Sequence, residues 1–64
     1  MKVILHHPKR ETEVRGPRTV QSLLKALELA SEAHLVIRGE ELITEDEPLF
    51  DSDVIEIRPV ISGG

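Results

Sequence analysis

Apolar and polar residues alternate from the first position onward. Met1, Val3 and Leu5 interleave with Lys2, Ile4 and His6, the period of two that belongs to a half-buried strand, here running to about His7. Pro8-Lys9-Arg10-Glu11 reads as a turn, because proline cannot donate to a ladder. Thr12 to Arg15 then reads as a second strand forming a hairpin with the first, and Gly16-Pro17 breaks it. Thr19 stands where an N-cap belongs. Behind it Val20, Leu23, Leu24 and Leu27 fall at i, i+3, i+4 and i+7, one stripe of an amphipathic helix. The pattern carries this helix to about Leu29 or Ala30 with a poorly marked end: no glycine follows, and Glu28 opposes the helix dipole.

Leu35-Val36-Ile37 is a short apolar strand closed by Gly39, and Glu41-Leu42-Ile43 a minor one. The stretch from Thr44 to Asp53 is rich in turn formers, with Leu49 and Phe50 expected to plug the core from it. Val54 to Ile61 is the last strand, Ile55 and Ile57 on one face and Glu56 and Arg58 on the other. Hairpin, helix, strand, short strand, strand is an α+β order. It predicts a β-grasp (ubiquitin-like) fold, a mixed sheet of four to five strands with one helix packed on one face. Residues 1–61 form that domain and 62–64 a C-terminal tail. Alternation places Val3, Leu5, Leu35, Ile55 and Ile57 toward the helix. It turns Ile4, Val36 and Arg58 to the opposite face, a surface expected to bind a partner together with Pro59, Val60 and Ile61.

Composition narrows the chemistry. Of 64 residues none is cysteine, which excludes disulfides, thiolate metal sites and a cysteine nucleophile and fits an intracellular location. A net charge of −4 argues against direct nucleic-acid binding, which relies on Lys and Arg at phosphates. The acidic residues gather between Glu40 and Asp53, whereas Lys9, Arg10, Arg15 and Arg18 lie in the first third. No apolar run has membrane-spanning length and the start lacks a signal-peptide pattern, so a cytoplasmic protein is expected. His6 and His7 are strand neighbours that point to opposite faces and cannot chelate one ion together. His34 reads as a surface residue and Glu45-Asp46-Glu47 as a solvated loop. Asp51-Ser52-Asp53 lacks the ordered oxygen ligands of a calcium loop, so no metal site is expected.

The sequence ends Ser62-Gly63-Gly64 directly after an apolar run. Two glycines at a chosen pair of positions arise by chance about 0.5% of the time at ordinary glycine usage. A terminal carboxylate with no side chain beside it suits entry into a narrow active site. With no cysteine to carry cargo, an acyl group or sulfur would have to sit on that carboxylate.

The chain resembles the ThiS/MoaD family of sulfur carriers over essentially its whole length. The residues that carry the resemblance are Val36-Ile37-Arg38-Gly39-Glu40-Glu41, Leu49-Phe50-Asp51-Ser52-Asp53-Val54 and Val60-Ile61-Ser62-Gly63-Gly64. Within the family it is most similar to the ThiS-like carriers of thiamine synthesis or tRNA thiolation. Ser52 departs from the Asp-Gly-Asp turn of many relatives, and serine tolerates positive φ poorly. The resemblance implies that an ATP-dependent enzyme of the ubiquitin-activating type adenylates Gly64. A persulfide then supplies sulfur, and the resulting thiocarboxylate donates it to a biosynthetic enzyme of thiamine, tRNA-thiolation or molybdopterin synthesis. Ser62, Gly63 and Gly64 would enter the partner. The carrier itself, a monomer with no bound cofactor, would be a co-substrate and not an enzyme. Two alternatives remain open: a ubiquitin-like modifier joined to target lysines through Gly64, and a β-grasp binding module whose Gly-Gly is incidental.

Overall fold

The computed structural model describes residues 1–6 and 9–60. Its elements run β1 (Lys2–Leu5), β2 (Arg10–Glu13), α1 (Val20–Ala26), a 3-10 turn (Ser31–Ala33), β3 (His34–Arg38), β4 (Glu41–Ile43) and β5 (Val54–Pro59). One five-stranded sheet has the order β2-β1-β5-β3-β4. β1 and β5 are parallel neighbours at its centre, and the other three pairings are antiparallel. This is the expected mixed β-grasp sheet, with a single α-helix covering one face.

The helix stripe and the inward strand positions meet beneath α1. Val20, Leu23 and Leu24 are buried against Val3, Val36, Ile55 and Ile57, with Met1 and Leu49 closing the ends. Leu5, Val14, Leu27, Leu29 and Ile43 pack around that centre. The α1 N-terminus is closed by a capping box. The Thr19 hydroxyl accepts from the Ser22 amide at 3.2 Å, and the Ser22 hydroxyl accepts from the Thr19 amide at 3.0 Å.

The helix stops at Ala26, earlier than its apolar stripe suggests. The Glu28 amide donates to the Lys25 carbonyl and the Leu29 amide to the Leu24 carbonyl, the two bonds of a Schellman motif with Leu27 as C-cap. Its left-handed position is filled by Glu28, at φ 59°, where glycine is the usual occupant. Leu29 folds back onto the core as that motif requires.

Three further sequence expectations are corrected, and the turn at Ser52 is resolved. Arg10 and Glu11 belong to β2, which begins two residues before the expected strand because β1 pairs with it from Leu5↔Arg10 to Lys2↔Glu13. Val36 is buried at 3% exposure and Leu35 is 42% exposed, the reverse of the expected facing. Phe50 is 61% exposed and leaves Leu49 alone to plug the core. Ser52 avoids positive φ, which among the described non-glycine residues occurs only at Glu28. The turn there closes instead through Asp53, whose carboxylate accepts from the Phe50 amide at 2.8 Å while its own amide donates to the Phe50 carbonyl at 3.0 Å.

Candidate functional site

The sheet face turned away from α1 is defined by register. Cα partners across a ladder project to the same side, so Glu11, Ile4, Glu56, Ile37 and Leu42 form one row across all five strands. Arg58 and Leu35 form the next row toward the end of β5, and Glu13, Lys2 and Val54 the row toward its start. Leu35, Leu42 and Val54 are exposed, and Ile4 and Ile37 are partly so. Five apolar side chains therefore share an open surface edged by charge, the composition of a docking face.

Of the residues expected on this surface, Ile4 and Arg58 lie there and Val36 does not. Val36 pairs with Ile57, and both sit in the core. The three-residue apolar run 35–37 has no polar position to fix its phase, and only the ladder to β5 does so. Leu35, Ile37, Leu42 and Val54 are the members missed from sequence. The usable signal was Ile57: its inward phase is set by Glu56 and Arg58, and the antiparallel partner facing it had to be inward too.

A polar network divides the apolar surface. Glu56 Oε2 lies 2.5 Å from His6 Nε2 and accepts from Arg58 Nε at 3.0 Å, with Arg58 Nη2 at 2.8 Å. These bonds, from Arg58 first and His6 second, hold the Glu56 carboxyl below the ordinary glutamate range. His6 is thereby fixed to Glu56, and His7 lies outside the described residues. No cluster of three or more His, Cys, Asp or Glu side chains fit to hold a metal occurs among the described residues.

The last strand anchors the chain up to the tail. Pro59 pairs with His34, and the Val60 amide donates to the Ala33 carbonyl at 2.8 Å. Val60 is nearly half exposed. Ile61, Ser62, Gly63 and Gly64 lie outside the described residues. The base of the tail thus leaves from the end of β5 that carries Arg58, next to Leu35. This arrangement offers a surface to grip and a fixed point of departure for the chain end. No helix among the described residues is long and apolar enough to cross a membrane.

Comparison with known proteins agrees with this reading of the fold. A family model described as the ThiS family matches residues 3–64. The chain is 40% identical over 65 aligned positions, covering the whole of both proteins, to the sulfur carrier protein TtuB of Thermus thermophilus.

Proposed function

Because the chain belongs to the ThiS family, we propose that it is a sulfur carrier loaded at the carboxylate of Gly64. The observation that carries this reading is the full-length likeness to a sulfur carrier protein, continuous through the Gly-Gly end.

The chemistry follows from the carboxylate. Its oxygen is a poor leaving group. Attack of that oxygen on the α-phosphorus of ATP, bound by an activating enzyme, gives an acyl adenylate and releases pyrophosphate. The terminal sulfur of a protein persulfide then attacks the acyl carbon, AMP departs, and an acyl disulfide forms. A thiol reduces the S–S bond, leaving the thiocarboxylate on Gly64 and a disulfide on the donor side. Glycine leaves the acyl carbon unhindered, and the thiocarboxylate is a nucleophile that needs no cysteine in the carrier. The carrier acts as a cytoplasmic, monomeric co-substrate. ATP and the catalytic groups belong to its partners.

The outer sheet face fits the docking half of the task. Ile4, Leu35 and Ile37 would pack on the activating enzyme. Arg58 would pair with a carboxylate there, while Pro59, Val60 and Ile61 lead Ser62, Gly63 and Gly64 to its nucleotide. The acceptor is a biosynthetic enzyme of thiamine, tRNA-thiolation or molybdopterin synthesis.

The test is intact mass spectrometry of the chain after incubation with ATP, an activating enzyme and a persulfide donor. The expected result is the mass gain of one oxygen exchanged for one sulfur, absent when Gly64 is deleted. Reduction-resistant adducts on lysines of other proteins, with no such gain, would replace this reading by that of a modifier.

A further inference from the structure

The end of the sheet farthest from the tail holds a second surface. Two loops meet there, the one leaving β2 and the one entering β5. The Leu49 amide donates to the Arg18 carbonyl at 2.8 Å, and Thr19 bridges Pro48. Between the loops lies a shallow depression of about 590 Å³, lined by Arg15, Pro17, Arg18, Pro48, Phe50 and Asp51 among others.

Two features of this depression lack an internal explanation. Phe50 is the only aromatic residue of the chain, yet it stands 61% exposed on a backbone pinned by both bonds to Asp53. An exposed ring forgoes the stabilisation that burial would give, and Leu49 beside it takes the core position instead. Arg15 and Arg18 are exposed and, like Lys9, Arg10 and Lys25, make no ion pair among the described residues, but these two alone of the unpaired cations line the depression. In a chain of net charge −4, two uncommitted guanidinium groups flanking an exposed ring form a local site of opposite sign.

We propose that this depression docks an extended acidic segment of a partner protein. An apolar side chain of the segment lies against Phe50, Pro17 and Pro48, and its carboxylates pair with Arg15 and Arg18. Arginine and aromatic rings are the side chains that most often dominate such contacts, and guanidinium binds carboxylate in bidentate fashion. A nucleic acid fits less well. Only two cations face the depression, Asp51 stands on its rim, and the rest of the molecule repels phosphate.

Position gives the site its use. Asp53 precedes β5 and Val60 follows it, so the six residues of β5 separate the depression from the base of the tail by about 20 Å. A partner held at Phe50 stays clear of Leu35, Arg58 and Val60 at the other end of β5, so one protein can be bound there while another works at that end.

The test follows backbone amide signals of the full chain during titration with a blocked peptide, Asp-Glu-Phe-Leu-Asp-Glu. Shifts are expected at the amides of 14–16, 18–19 and 49–53 and not at Val60, and they should vanish with the Asn/Gln form of the peptide. Phe50→Ala, and Arg15→Gln with Arg18→Gln, should each weaken binding at least fivefold while leaving the rest of the spectrum and the sulfur loading of Gly64 unchanged. Absence of shifts at millimolar peptide, or shifts that persist in both variants, would overturn the proposal. So would a single-stranded RNA oligomer that binds the same residues more tightly than the peptide.

Discussion

Leu35 stands opposite Arg58 across the β3–β5 ladder, both on the sheet face turned away from α1. One residue along, Val36 and Ile57 make the corresponding pair on the buried face. Neighbouring positions on β3 therefore serve different ends, and substitution separates them. Leu35→Asp should leave the denaturation midpoint nearly unchanged while weakening binding to the activating enzyme by tenfold or more. Val36→Ala should cost about 2 kcal/mol of stability through lost burial and the cavity left behind. Chemical denaturation and a binding titration on each variant measure both effects. A Leu35→Asp protein that binds normally would remove the outer face from the docking scheme.

Glu28 offers a stabilising change. A side chain in the left-handed region clashes with its own backbone, and here a carboxylate also sits at the negative end of the helix. Glu28→Gly should raise stability by about 1 kcal/mol, a rise in Tm of about 4–8 °C for a domain of this size. Calorimetry reads it directly. An unchanged or lower Tm would mean that the added freedom of glycine in the unfolded chain offsets the relieved strain.

The opposite end of the helix is expected to respond in the other direction. The Thr19 hydroxyl accepts from the Ser22 amide, and α1 is only seven residues long, so the cap is a large share of what defines the helix start. Thr19→Ala should cost about 1 kcal/mol, whereas Thr19→Ser should retain most of the cap. Equal losses in the two variants would assign the effect to the Thr19 methyl group instead of the hydroxyl.

The legible parts of the molecule were those where polar residues interrupt apolar ones. Val20, Leu23, Leu24 and Leu27 read as a helix face because the polar Gln21, Ser22 and Lys25 stand between them, and Ile55 and Ile57 read as inward because Glu56 and Arg58 flank them. Leu35-Val36-Ile37 has no such interruption: one phase turns Val36 inward and the other Leu35 and Ile37, and only the ladder to β5 chooses between them. The helix end was illegible for a different reason. Glu28 adopts a conformation its own side chain disfavours, because Leu29 gains a place on the core. Phe50 misled in the same way: hydrophobicity pointed inward, but the chain has room for one plug at that turn and Leu49 fills it. On the outer sheet face, Ile4 and Arg58 followed from alternation, whereas Leu35, Ile37, Leu42 and Val54 needed the register.

The network on that face carries a pH signature. Hydrogen bonds from Arg58 and His6 favour the ionised form of Glu56 and so hold its carboxyl below the ordinary range in the folded chain. A group whose folded value is depressed contributes stability above its unfolded value and loses it as pH falls through the folded one. The contribution should therefore be complete at neutral pH and decline below about pH 4.3, the value of an unperturbed glutamate. Asp46, held low by the Thr44 hydroxyl, adds a loss of the same sign, so acid should lower Tm progressively. Glu56→Gln should reduce the steepness of that decline without removing it, since Asp46 remains. Thermal melts of both proteins from pH 7 to pH 2 make the comparison. If the two curves stay parallel through the acid range, the bonds from Arg58 and His6 to Glu56 hold the surface geometry without contributing to the stability of the fold.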